Sequence, residues 1–151
     1  MFLSGVMIFS HFAPIFNLGY TYNMRILGID YGFKRVGIAI SDEGEKFAMP
    51  VTVLNNTKNL LNDVIKIANE KGSREIVMGE SRDYQMEPNN ILAESLRFKT
   101  SLEAKDYVVH LEPEFMTSHH AQRFQGQNEM LDASAAALIL QSFLDKKQSK
   151  R

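Results

Sequence analysis

Two short apolar runs, Arg25-Ile26-Leu27-Gly28-Ile29-Asp30 and Val36-Gly37-Ile38-Ala39-Ile40, are separated only by a turn-like stretch beginning Tyr31-Gly32-Phe33-Lys34. Runs of this length and composition around a glycine-containing turn read as the two strands of a hairpin, with a carboxylate closing the first. After the acidic turn Asp42-Glu43-Gly44-Glu45, residues 47–54 read as a third strand, so the chain opens on strands in antiparallel order. Gly28, Gly32 and Gly37 do not form a dinucleotide fingerprint, because the chain beyond them is another strand where that motif requires a helix.

Downstream, helices and strands alternate. Residues 59–69 carry Leu60, Leu61, Val64, Ile65, Ile67 and Ala68 at helical spacing, with Gly72 placed as a C-cap. Glu75-Ile76-Val77-Met78-Gly79 reads as a buried strand emptying into a loop, and residues 89–104 as a second helix through Ile91, Leu92, Leu96 and Leu102. Tyr107-Val108-Val109-His110-Leu111 is a further strand closed by Pro113. Residues 117–124 read as a short helix interrupted at Gly126, and residues 132–144 as a long alanine-rich helix that Asp132 precedes or opens. The fold class expected is α/β: a mixed five-stranded sheet with an antiparallel three-stranded start, later strands joined by crossovers, and helices on both faces. Ligands of such sheets gather at the carboxyl ends of the strands.

A length of 151 residues fits one domain. With no cysteine, disulfide scaffolds and thiolate zinc sites are excluded, leaving carboxylates and histidines as metal ligands and a hard ion as the expected metal. The net charge of −1 gives no global basic footprint, so any attraction to nucleic acid must come from a local patch. Residues 1–23 break from the rest in composition, with no Lys, Arg, Asp or Glu before Arg25. They lack the charged start of a secretory signal and are broken by Gly5, Pro14 and Gly19. Ser10-His11, Asn17 and Asn23 interrupt any membrane span. The expected organisation is a non-native or disordered, dispensable extension over 1–23, a domain over 24–145 and a Lys-rich tail over 146–151.

Three acids stand where such a sheet concentrates ligands. Asp30 ends the first strand, Glu114 follows the strand ending at Leu111, and Asp132 stands at the last helix. Each has an ordinary alternative, since aspartates cap turns and helix N-termini. Converging, they would hold Mg²⁺ or Mn²⁺ with water and substrate phosphate completing the shell. Lys34 and Arg35 follow the Asp30 turn and are candidates for phosphate contacts, extended by Arg82, Arg97, Lys99, Arg123 and Lys146-Lys147. His119-His120 does not read as a zinc site, because adjacent residues on a helix point apart.

The stretch Met24-Arg-Ile-Leu-Gly-Ile-Asp-Tyr-Gly-Phe-Lys-Arg-Val-Gly-Ile-Ala-Ile-Ser-Asp42 resembles the opening of the YqgF/RuvX family of bacterial Holliday-junction-resolvase-like and pre-16S ribosomal RNA processing nucleases. Leu131-Asp132-Ala-Ser-Ala-Ala-Ala-Leu-Ile-Leu-Gln-Ser-Phe-Leu-Asp145 resembles that family's closing helix. Pro113-Glu114-Phe-Met-Thr-Ser-His-His-Ala-Gln-Arg123 resembles its Asp-Glu-Arg-Leu-Thr-Thr-x-x-Ala-x-Arg segment. The resemblance implies a ribonuclease-H-like fold, Asp30, Glu114 and Asp132 as catalytic metal ligands, and Lys34, Arg35 and Arg123 as nucleic-acid contacts. It also implies a cytoplasmic, divalent-metal-dependent endonuclease of precursor rRNA or branched DNA, with no membrane partner and with a homodimer left open. Pro113 and Phe115 depart from the family pattern and remove an arginine that would touch phosphate. Gly79-Glu80-Ser81 stands in place of Gly-Leu-Pro, which puts Glu80 where related resolvases carry an acid and makes it a further candidate ligand. A catalytically weak nucleic-acid-binding module is the alternative class. A sugar-kinase-like phosphate binder is disfavoured, because it needs two such domains.

Overall fold

The computed structural model describes residues 24–80, 90–113 and 129–151. The extension 1–23, the helix expected over 117–124, and Arg82, Glu114, His119, His120 and Arg123 lie outside the described residues. The elements run β1 (Arg25–Tyr31), β2 (Arg35–Ser41), β3 (Ala48–Asn55), α1 (Leu60–Lys71), β4 (Ser73–Glu80), α2 (Asn90–Glu103), β5 (Val108–Pro113) and α3 (Glu129–Ser149). One sheet of order β3-β2-β1-β4-β5 holds all five strands. The β1/β2 and β2/β3 pairs are antiparallel, whereas β1/β4 and β4/β5 are parallel. This is the mixed sheet expected.

Side chains alternate across β1, and both faces are buried. Leu27 and Ile29, with Val36, Ile38 and Ile40 of β2 and Ile76 and Met78 of β4, form one core with Leu60, Val64 and Ala68 of α1 and Phe98 and Leu102 of α2. Ile26, Ala39 and Val77 form the other with Ala136, Ile139, Leu140 and Leu144 of α3. A strand buried on both faces reads as a continuous apolar run, which is why β1 and β4 were visible in the sequence. Helix α1 ends at Gly72, whose φ of 69° and ψ of 36° are left-handed and whose N–H reaches the carbonyls of Ala68 and Asn69. Among the described residues, no helix is long and apolar enough to cross a membrane.

The last helix departs from expectation at both ends. It starts at Glu129, so Asp132 lies inside its first turns and is not the cap. It also runs through to Ser149, so the Lys-rich segment is helix and not a tail. The reason is non-local. Lys146 and the hydroxyl of Ser142 meet the buried carboxylate of Glu112 on β5, and Lys147 lies 3.1 Å from Glu45 and 3.5 Å from Glu75. Arg151 adds a contact to Glu45 at 2.9 Å. The expected addition of Lys146 and Lys147 to a phosphate-binding patch is therefore corrected, since each already faces carboxylates. Glu45 itself, at φ 54°, sits in a turn that Asp42 organises by accepting the N–H groups of Phe47 at 2.9 Å and Lys46 at 2.7 Å. Those bonds hold the Asp42 carboxyl below its ordinary range. Its contribution is thus present above the unfolded-state pKa and lost as pH falls through the folded one.

Candidate active site

Asp30 stands at the carboxyl end of β1 and is 1% exposed. Alternation places it with Ile26 and Gly28 on the face that α3 covers. Its direct partner across the antiparallel pair is Gly37, and directly opposed residues share a face with Cβ positions about 5 Å apart. A Cβ on Gly37 would lie 2.0 Å from the carbonyl oxygen of Asp132 and 2.5 Å from its carbonyl carbon. The backbone of Asp132 thus rests where a side chain would stand beside Asp30. The backbone of a residue about a hundred positions downstream thus fills the space left by one glycine. Gly28 continues the contact: a Cβ there would lie 2.8 Å from Cβ of Leu140 and 3.0 Å from the carbonyl oxygen of Ala136. The two glycines let α3 lie close against the sheet, with the backbone of Asp132 over Gly37, the cross-strand neighbour of Asp30.

Asp132 is 7% exposed and its Oδ2 lies 3.1 Å from Nε of Arg35, the first residue of β2. Arg35 shares the α3-covered face with Gly37 by alternation, so strand geometry delivers the guanidinium to the acid. Sequence reasoning gave Arg35 to phosphate. The structure gives it a second task, fixing the side chain of Asp132. Lys34 is exposed in the hairpin beside it. Arg97 and Lys99 stand on α2, which packs against the opposite face of the sheet from α3.

Glu80 closes β4, and the register runs from Ile29 opposite Met78 to Gly79 opposite Glu112. Gly79 therefore falls in line with Asp30, while alternation puts Glu80 with Ile76 and Met78 on the α1/α2 face. Glu112 occupies the same row on the α3 face and is 4% exposed, held by Ser142 and Lys146. It was not a candidate from the sequence, because only the register reveals that it shares a row with Asp30. Gly28 and Gly37 were likewise not recognised as packing residues; their two-residue repeats with Asp30 and Ala39 along the α3 face were the available signal.

Among the described residues, no three Asp, Glu, His or Cys side chains gather closely enough to hold a metal ion. The Asp30/Asp132 pair nonetheless fits a hard divalent cation, because such ions are commonly held by one or two carboxylates with water and phosphate oxygens supplying the rest. Both would offer carboxylate oxygens, and both residues are buried.

A mixed five-stranded sheet of this order, covered by helices on both faces, is the ribonuclease-H-like fold. Solved structures share the architecture. Thermus thermophilus RuvC in complex with Holliday junction substrate matches with a TM-score of 0.53 and 13% identity, over 82% of this chain and 96% of that one. Fowlpox virus resolvase with substrate Holliday junction DNA matches at 0.52 and 13%, over 82% and 99%. The chain belongs to the RuvX family, described as Holliday junction resolvase, whose profile matches residues 24–146. It is similar to proteins provisionally named pre-16S rRNA nucleases. The one from Opitutus terrae is 30% identical over 135 residues, covering 82% of this chain and 93% of the relative. The one from Maridesulfovibrio salexigens is 30% identical over 132 residues, covering 80% and 98%. Membership makes this chain a hydrolase acting on nucleic acid, of a kind that depends on divalent metal.

Proposed function

We propose that residues 24–145 form a Mg²⁺- or Mn²⁺-dependent endonuclease that trims the 5′ end of precursor 16S rRNA in the cytoplasm, with Asp30, Glu114 and Asp132 as metal ligands. The observation that carries this reading is the burial of Asp30 and Asp132 together across Gly37. Arg35 offsets the charge of Asp132, and a second buried carboxylate on the same face adds the negative charge that a divalent cation would neutralise. When bound, the cation supplies hydroxide near neutral pH and neutralises charge on the leaving oxygen. Asp30 offers its oxygens from a strand fixed on both sides by hydrogen-bonded neighbours. Asp132 offers its own from a helix, with one oxygen held by Arg35. Lys34 and Arg123 contact the phosphate backbone and hold the strand for cleavage.

The family description and the junction-bound neighbours favour a second reading, resolution of four-way DNA junctions. A junction presents two symmetry-related strands and would call for a homodimer, whereas a single 5′ end needs one subunit. The test is cleavage of precursor 16S RNA and of a four-way DNA junction side by side with Mn²⁺ or Mg²⁺, together with sedimentation of the protein. Cleavage of the RNA by a monomer is expected. Symmetric nicking of the junction by a dimer would establish the second reading, and cleavage of neither at any metal concentration would leave only a binding module.

Lys34→Ala is expected to weaken binding of every sequence alike and to lower the slope of log K against log salt by about 1, as loss of one phosphate contact does. Titrations at several salt concentrations measure it. An unchanged slope would remove Lys34 from the interface.

A further inference from the structure

We propose that Phe33 is a stacking platform for an unpaired nucleobase of the substrate strand, beside the phosphate that is cut. The inference rests on the nuclease reading and names the kind of nucleic acid that site takes.

Phe33 lies three residues beyond Asp30, in the hairpin at the carboxyl edge of β1, and is 57% exposed. A phenylalanine left in water forgoes the burial that folding offers aromatic rings. Its backbone is not loose. Nδ2 of Asn56 donates to the Gly32 carbonyl at 2.8 Å, and the N–H of Asn56 donates to the Lys34 carbonyl at 2.9 Å. The carbonyls on either side of Phe33 are thus tied to the chain leaving β3, and the ring is presented from a fixed base.

Its neighbourhood indicates the partner. Lys34 is exposed next to it, a cation suited to a phosphate backbone. The other exposed large hydrophobic residues among those described stand elsewhere: Met24 just before β1, Phe47 and Met49 at the opposite end of the β2–β3 pair, Val108 at the start of β5, Leu96 on α2 and Leu138 on α3. One ring is too little for a protein interface, which is built on a contiguous apolar patch. A single exposed ring beside a cation matches what single-stranded nucleic acid requires: charge for the backbone and a π face for a base, with no sequence read. In a continuous duplex the bases are already stacked on one another and have no face to offer, so the platform selects a frayed, looped or single-stranded site.

The test uses the full chain in metal-free buffer, so that binding is read without cleavage. A single-stranded RNA carrying 2-aminopurine and a blunt duplex of the same sequence are titrated by fluorescence and anisotropy. Phe33→Ala is expected to weaken the single strand about tenfold, within the range of one lost base stack, and to reduce quenching of 2-aminopurine. Phe33→Trp is expected to bind it at least as well as the parent, and duplex affinity is expected to stay within about twofold for both variants. Circular dichroism of each variant should match the parent, because the ring is exposed. Equal affinities of parent and Phe33→Ala for the single strand would overturn the platform while leaving the nuclease reading intact. An equal loss on strand and duplex would overturn it too, by making Phe33 a general contact. A parent protein that binds neither RNA would overturn the platform together with the reading of the substrate as RNA.

Discussion

The Asp30→Asn protein is expected to fold and bind nucleic acid as the parent does while hydrolysing it at least about a hundredfold more slowly, the lower end of what removal of one catalytic group costs. The swap keeps the shape of the side chain and removes one negative charge from the donor set. Asp30 is almost completely buried, and burying a carboxylate is costly unless it is compensated. Its neutral isostere should therefore leave the metal-free protein as stable as the parent or more so, since the repulsion from Asp132 across Gly37 is relieved. Binding should hold or tighten, because the cationic contacts are unchanged and the edge repels phosphate less. Cleavage rate, denaturation midpoint without metal and affinity for uncut RNA separate these three effects. A variant that cuts as fast as the parent would make Asp30 a structural acid and leave the weak binding module as the better reading.

The Gly37→Ala protein should show the largest loss of stability of any single-methyl addition in the sheet. The new Cβ would fall 2.0 Å from a backbone oxygen and 2.5 Å from a backbone carbon of Asp132. Neither atom can rotate away, so α3 itself must move off the sheet. Overpacking a core costs about 1–3 kcal/mol where side chains can give, and a backbone contact belongs at or beyond the top of that range. Gly28→Ala should cost less, because its nearest contacts, Cβ of Leu140 at 2.8 Å and the carbonyl oxygen of Ala136 at 3.0 Å, overlap far less than the 2.0 Å contact at Gly37. Gly44→Ala should cost least, meeting the Asp42 carboxylate at 3.3 Å and Cγ of Lys46 at 3.9 Å in an exposed turn. Urea denaturation of the three variants tests the ranking. A Gly37→Ala protein within about 0.5 kcal/mol of the parent, the scatter of an ordinary surface change, would contradict the close seating of α3. If it folds, it should also lose hydrolysis, because displacing α3 carries Asp132 away from Asp30.

The strands were legible because local chemistry and tertiary position agree in them. Ile26 through Ile29 are buried on both sides of the sheet, and the acid that ends the run lies at the edge where ligands gather. Helix α1 was legible through its apolar spacing and Gly72. Asp132 misled on local grounds. An aspartate is favoured both as an N-cap and within the first turn, where the helix dipole welcomes its charge, so the residue type alone does not locate the start at Glu129. The end of α3 was hidden for the opposite reason. Lys146 and Lys147 look like a solvated tail until Glu112, Glu75 and Glu45, contributed by two strands and a turn far away in the chain, are placed against them. Glycines 28 and 37 were seen as residues but not as packing contacts, because the helix they admit is about a hundred positions downstream. Arg35 was read as a phosphate contact because its partner Asp132 is likewise distant.

The glycine contact at position 37 has a consequence for how such a protein ages and adapts. Because the spacing of Asp30 and Asp132 is set by the ladder between two strands and by one helix lying against it, no flexible connection can be tuned to open or close the pair. The arrangement of these two acids and the native sheet then rise and fall together, so on heating hydrolysis should end no later than the sheet unfolds. Variation that retargets the domain must leave this buried seam alone and fall on the segments that rim it, where the hairpin carrying Phe33 and Lys34 can change its side chains without disturbing the distance between the two acids.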